Sequence, residues 1–269
     1  MRTGIQLCYP FEESRLQKWN SKVVLIQPKL DGERCRAVFD STGNVTLYSS
    51  EQNIITSVPH INSQLESMHL SNIELDGELY IHNKPFEQIH SIVGRTVNQH
   101  YNSESMEYHV FDIVNSRIQL SRLTELNILF TQHYLESVRV VPVIAVSSLD
   151  KIMECFHSFV GMGYEGFILR HPAAFYVRKR STYIMKFKSK KQDAYEIIGY
   201  QEEVSIHGTP KNSLGALVCR GNDDTNFNVG SGFTQDQRIN LWKIKESIIG
   251  KYAIVDYQHT TAKNKVPRF

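Results

Sequence analysis

The stretch that most constrains this chain is four consecutive apolar residues, Val23, Val24, Leu25 and Ile26, running into Gln27-Pro28-Lys29-Leu30-Asp31-Gly32. The apolar run reads as a buried strand and Asp31-Gly32 as a turn, so Lys29 stands where rigid sheet passes into loop. A lysine amine titrates near ~10.4 and is a weak nucleophile at neutral pH unless burial or neighbouring cations lower its pKa. Most lysines beside turns are solvated surface residues. What sets Lys29 apart is the pattern that follows it.

Residues 34–39 and 45–49 form an expected hairpin about Ser41-Thr42-Gly43-Asn44, and Pro59 opens an expected helix through Ile61, Leu65 and Met68. Alternation over 73–81 places Glu74, Asp76, Glu78 and Tyr80 opposite an apolar face of Ile73, Leu75, Gly77, Leu79 and Ile81. Three carboxylates on one strand face repel one another unless cations stand nearby. Helices are expected over 86–93, 122–135 and 149–160. Between the first two, a strand over 107–114 carries Phe111 directly before Asp112. Glu165 sits at a turn ahead of the apolar run Phe167-Ile168-Leu169. Lys186-Phe187-Lys188 alternates, which puts both amines on one face while Met185 and Phe187 point to the core. Arg178, Lys179 and Arg180, with Lys190 and Lys191, complete the densest cluster of positive charge.

Beyond Gln192 the character changes to short strands over 195–200, 216–220, 227–229 and 252–257, with a single helix expected over 234–249. That pattern predicts a small β-barrel of the OB type, so the chain divides into a large domain over 1–190 and a small one over 191–269. The formal net charge is only +2, and any nucleic-acid footprint must come from clustering. The four cysteines, Cys8, Cys35, Cys155 and Cys219, form no Cys-x-x-Cys pair, which argues against a zinc site and for a reducing compartment. No apolar run approaches the ~20 residues of a membrane span and no signal-peptide layout opens the chain, so a soluble, cytoplasmic protein is expected.

Taken together, Lys29-x-Asp31-Gly32-x-Arg34, Asp76-Gly77-Glu78-Leu79, Phe111-Asp112, Glu165-Gly166 and Lys186-x-Lys188 resemble, in order, the motifs of the covalent nucleotidyltransferases: ATP-dependent DNA ligases, RNA ligases and capping enzymes. Residues 194–200, Leu214-Gly215-Ala216-Leu217 and Val229-Gly230-Ser231-Gly232-Phe233 resemble the C-terminal domain of small bacteriophage and viral DNA ligases, which favours DNA. The resemblance implies an α+β fold, with an adenylation domain of antiparallel sheets and flanking helices ahead of the OB barrel. Lys29 would take AMP from ATP and, with Mg2+ or Mn2+, pass it to the 5′-phosphate of nicked duplex DNA in repair or replication. It further implies that Gln27 reads the adenine edge, Phe111 stacks on the base and Glu78 meets the ribose or a metal-bound water. Lys186 and Lys188 hold the α-phosphate and lower the Lys29 pKa, Asp31 and Arg34 complete the catalytic set, and Glu165 places the metal. Arg178, Lys179, Arg180, Lys190 and Lys191 are expected on the DNA backbone, and the protein is expected to act as a monomer, in the host cytoplasm if viral. An RNA ligase or capping-type enzyme and an impaired nick-binding module are the alternatives. Two departures stand out: Ser50 occupies the place of an expected arginine, and the family's last basic motif is absent beyond Pro267-Arg268-Phe269, where Lys263, Lys265 and Arg268 are the available substitutes.

Overall fold

The computed structural model describes residues 4–221, 223–257, 259–260 and 266–268. Lys263, Lys265, Phe269 and the Arg268 side chain lie outside what is described. The chain forms two compact units, Met1–Lys188 and Ser189–Phe269.

In chain order the first unit begins β1 (Leu7–Pro10), α1 (Glu13–Gln17), β2 (Val24–Lys29), β3 (Glu33–Phe39), β4 (Val45–Ser49) and α2 (Pro59–Glu66). It continues β5 (Glu74–Tyr80), α3 (Phe86–Val93), β6 (Glu107–Ile113), α4 (Gln119–Thr131), β7 (Val138–Val140) and β8 (Ile144–Val146), and closes with α5 (Leu149–Gly161), β9 (Gly166–Arg170) and β10 (Arg180–Lys188). Two five-stranded sheets result, ordered β1-β10-β9-β2-β8 and β4-β3-β5-β6-β7. Pairing is antiparallel except for β1 with β10 and β6 with β7. Each sheet buries one face under helices. Leu75 and Leu79 of the second sheet pack with Ile61 and Leu65 of α2 and Ile89 of α3. Ile26, Phe167, Leu169 and Met185 of the first pack with Ile152 and Phe159 of α5. Because strand side chains alternate, the polar residues of both sheets occupy the opposite faces, and these two faces meet.

One helix boundary differs from the periodicity. Apolar spacing predicts a helix over 122–135, whereas α4 begins at Gln119 and ends at Thr131. Gln119 and Arg122 are buried polar residues that satisfy Asp112, so the helix's inward face is partly polar and its start is invisible to a hydrophobicity count.

The second unit contains β11 (Lys191–Val204), β12 (Pro210–Arg220), β13 (Asn226–Val229), α6 (Gln235–Lys243) and β14 (Tyr252–Tyr257), with strands ordered β13-β12-β11-β14. The long β11 pairs with β14 through Lys191 to Glu196 and then with β12 from Ile197 onward, with irregular register at Ile197/Gly199. A strand that changes partner through bulges curls its sheet, which is how small OB-type barrels bend. The expected single helix over 234–249 is two pieces. Thr234 caps α6 with a full capping box, the chain leaves helical geometry at Ile244, and a 3₁₀ turn over Lys245–Ile248 delivers Ile248 to the core of the sheet. Burying Ile248 wins over continuing a helix that has no buried residue of its own.

Candidate active site

Three adjacent strands end together at the mouth of the first sheet. Register places Lys29 of β2 and Lys188 of β10 on either side of Gly166 of β9, with Gln27, Ile168 and Lys186 in the next row and Leu25, Arg170 and Ile184 behind. Gly166 has φ +153°, and a Cβ there would lie 2.0 Å from the Phe187 carbonyl oxygen, so only glycine serves. The row thus has no side chain at its centre, and Glu165, whose amide donates to the Lys29 carbonyl oxygen at 3.1 Å, fills the space with its carboxylate. Both ammoniums, from Lys29 and Lys188, pair with it. Lys29 Nζ also donates to the Leu30 carbonyl oxygen at 3.1 Å.

The second sheet brings the remaining groups. Arg34 stands opposite Glu78 across β3 and β5, and its guanidinium forks onto Asp76 at 2.7 and 2.6 Å. The Tyr176 hydroxyl donates to the same carboxylate at 2.6 Å. Glu78 accepts from the Gly32 amide at 3.1 Å. A Cβ on Gly32 would meet the Leu79 carbonyl oxygen at 2.2 Å, so the Asp31-Gly32 turn closes on β5 only because residue 32 has no side chain. Between β5 and β6 the register shifts, pairing Asp76 with Asp112 but Gly77 with Val110, and Phe111 is the extra residue. This bulge turns the Phe111 ring under the guanidinium carbons of Arg34 at 4.6 Å and Arg170 at 5.3 Å.

Electrostatics follow from this crowding. Burial pulls the Lys29 pKa down, but Glu165, Glu78 and Asp31 together raise it above the ordinary lysine value. The expected net depression of Lys29 by its neighbouring lysines is therefore not what this structure has, because the upward pull of these carboxylates is the larger. Burial, followed by Lys188 and Lys29, does lower Lys186. Glu165 stays below the usual range, its burial outweighed by the two lysines. Burial lifts Glu78 to about 7 against the pull of Lys29 and Arg34.

Comparison with known proteins places this arrangement. Residues 6–188 match the model of the ATP dependent DNA ligase domain, and residues 207–269 match that of the DNA ligase OB-like domain. The chain belongs to the ATP-dependent DNA ligase family. The chain is 30% identical over 182 residues to a DNA ligase of Haemophilus influenzae, covering 66% of itself and 65% of that protein. It is 25% identical over 268 residues to a DNA ligase of African swine fever virus, covering 90% of itself and 61% of the relative. The chain thus spans a little under two thirds of these relatives' length. A solved structure from a study of DNA binding with a minimal scaffold by Lig E DNA ligases superposes with a TM-score of 0.76 at 24% identity, covering 99% of this chain and 96% of that one.

Not every expected site residue lies with the others. Arg178, expected on the DNA backbone, here holds Glu74 through two bonds of 2.6 and 2.8 Å and the Gly4 carbonyl oxygen at 2.6 Å, so it is already an ion-pair member in this structure. Arg180 donates to the Cys8 carbonyl oxygen and lies against the Tyr9 ring at 5.5 Å. Lys179 is exposed. Lys190, 3.9 Å from Asp256, and the exposed Lys191 belong to the second unit, so the basic cluster of the sequence is divided between two bodies. Ser50 lies in a turn beside Gln52, to which Arg36 donates. Arg170, Gln119 and Arg122 escaped sequence reading, although Arg170 carried a signal: it is the charged end of an otherwise apolar strand, on the same face as Ile168 and Gly166.

Proposed function

We propose that the chain is an ATP-dependent DNA ligase that seals nicks in duplex DNA through a lysyl-AMP intermediate. The observation that carries this reading is the pairing of Lys29 and Lys188 with one carboxylate, Glu165, beside the half-buried Glu78. In the first step the Lys29 amine, once free of Glu165 and of one proton, attacks the α-phosphorus of ATP; a P–N bond forms and pyrophosphate leaves. Lys186 and Lys188 counter the charge on the α-phosphate, Phe111 stacks on the base, Gln27 meets its edge, Glu78 holds the ribose, and Asp31 and Arg34 brace the loop and strand around them. AMP then passes to the 5′-phosphate of a nick, and the 3′-hydroxyl displaces it.

Magnesium fits the donor set. Glu165 offers this ion a carboxylate once Lys29 and Lys188 release it, and one or two carboxylates with phosphate oxygens and water suit magnesium. Glu165 would hold it, and when bound it neutralises charge at the phosphoryl group. No helix among the described residues is long and apolar enough to cross a membrane. A monomer in the cytoplasm, with adenylation over 1–190 and the OB barrel over 191–269, completes the reading, and four free cysteines support the reducing setting. The test is incubation of pure protein with labelled ATP or GTP, followed by a chase with nicked DNA or nicked RNA. A covalent label from ATP that moves to DNA and ends as a sealed strand is expected; a label from GTP, or one that moves only to RNA, would replace this reading with a capping enzyme or an RNA ligase.

A further inference from the structure

Five polar side chains between the two sheets of the first unit form one hydrogen-bonded network, none of them more than 4% exposed: Gln27, Asp112, Gln119, Arg122 and Arg170. Asp112 accepts from Arg122 at 2.8 and 3.1 Å, from Arg170 at 3.2 Å and from Gln119 at 3.3 Å. Arg122 also donates to the carbonyl oxygens of Arg117 and Ala174 at 2.7 and 3.1 Å. Such a network is rigid because every alternative leaves a buried charge unpaired. One atom of it has no partner among the described residues. Arg170 Nε donates to Gln27 Oε1 at 2.7 Å, while Gln27 Nε2 is buried without a hydrogen bond.

The chemistry fixes which way this carboxamide faces. A guanidinium has donors only, so the atom against Arg170 must be the oxygen, and turning the amide over would set donor against donor. Gln27 lies two residues before Lys29 on the same face of β2, and Arg170 also covers the Phe111 ring. We propose that Arg170 is a positioning residue that locks Gln27 with its amide nitrogen available to the nucleotide base, so that the site reads a hydrogen-bond acceptor of the purine ring rather than its exocyclic amine. This rests on the nucleotide-binding reading above and adds to it the sense of the hydrogen bond and the residue that imposes it.

The test is covalent labelling of the full chain by a panel of triphosphates: ATP, purine riboside triphosphate, which lacks the exocyclic amine, and three ATP analogues in which ring nitrogen N1, N3 or N7 is replaced by C–H. Purine riboside triphosphate should label within about threefold of ATP, and at least one ring analogue should fall by about tenfold or more, the loss of one buried hydrogen bond. In Gln27→Glu the carboxylate pairs with Arg170 and offers an oxygen instead of a nitrogen, so the order reverses and purine riboside triphosphate drops about tenfold below ATP. Arg170→Met frees the amide to turn and levels the order. The inference is overturned if wild-type protein rejects purine riboside triphosphate while accepting all three ring analogues, or if Gln27→Glu keeps the wild-type order. Absence of labelling by every nucleotide would overturn the proposed function itself, a separate and distinguishable result.

Discussion

Glu165 and Glu74 each sit between two cations in the first unit, lysines in one case and arginines in the other. Glu165 pairs with Lys29 and Lys188; Glu74 takes Arg36 at 2.6 Å and Arg178 at 2.6 and 2.8 Å. The surroundings are alike, with side-chain exposures of 9% for Glu165 and 16% for Glu74. The difference lies in what the cations can do. An ammonium on a flexible stem can turn away to serve as a point charge for phosphate or, once it has lost its proton, as a nucleophile. A guanidinium keeps its proton and its planar fork, and it holds geometry. The first cluster is therefore suited to chemistry and the second to tying β3 and β5 to the segment before β10.

The largest expected effect comes from breaking the lysine cluster. Lys29→Ala should reduce covalent AMP labelling to background while leaving the circular dichroism spectrum and melting temperature close to the parent's, since Lys29 ends a strand and is not part of the apolar core. Labelling that persists would remove Lys29 from its role. Glu165→Ala should come next, lowering nick sealing by at least about a hundredfold with only partial recovery in added magnesium. The same change removes the strongest upward pull on Lys29, so the residual labelling should reach its plateau at a lower pH than in the parent. A plateau at unchanged pH would mean that the Lys29–Glu165 pair does not govern the nucleophile's proton.

How far such contrasts were legible in the sequence depended on whether a residue's neighbours lay along the chain. Lys29, Glu78, Glu165, Lys186 and Lys188 were readable because strand alternation and turn chemistry place each by local rules, and register then brings three of the five, Lys29, Lys186 and Lys188, to two strand rows. The bulge that re-aims Phe111 was not readable, being a property of the pairing with β5. Nor was the capture of Arg178 by Glu74, a partner 104 positions away. A run such as Arg178-Lys179-Arg180 announces charge but not which of its members is already neutralised. Buried polar residues were the commonest omission: Arg122 and Gln119 look like surface on a hydrophobicity scale and sit at 0% and 2% exposure.

A third prediction compares carboxylates whose shifts have opposite sign. Glu78 is raised to about 7 in the folded chain from the ~4.3 of an exposed glutamate. Between these values the folded state binds more protons than the unfolded one, so this group makes stability fall as pH rises from about 4.5 through 7. Glu78→Gln should then stabilise the protein at pH 8, by up to ~3 kcal/mol, and leave it nearly unchanged at pH 4.5. Glu165, lowered by its lysines, acts in the opposite sense: its contribution is present above the unfolded value and is lost as pH falls through the folded one. Thermal melts of Glu78→Gln and parent across this range decide the matter, and an equal difference at both ends would mean that the Glu78 carboxylate is not the titrating group.

The smallest effect is expected at Arg178, and it is the most direct test of the arginine cluster. Its side chain is 43% exposed, and exposed ion pairs contribute roughly 1 kcal/mol or less. Arg178→Ala should therefore cost little stability, the more so because Arg36 still holds Glu74. Labelling by ATP should be unaltered, since Arg178 belongs to a different cluster from Lys29. Affinity for nicked duplex should also keep its dependence on salt, because a guanidinium already saturated by a carboxylate releases few counterions on meeting a phosphate. Lys179→Ala is the control: this exposed ammonium is available to the backbone, and its loss should flatten the log–log salt slope by about one unit. If Arg178→Ala flattens the slope as much as Lys179→Ala does, the guanidinium leaves Glu74 for DNA, and the division between a reactive lysine pair and a structural arginine pair no longer holds.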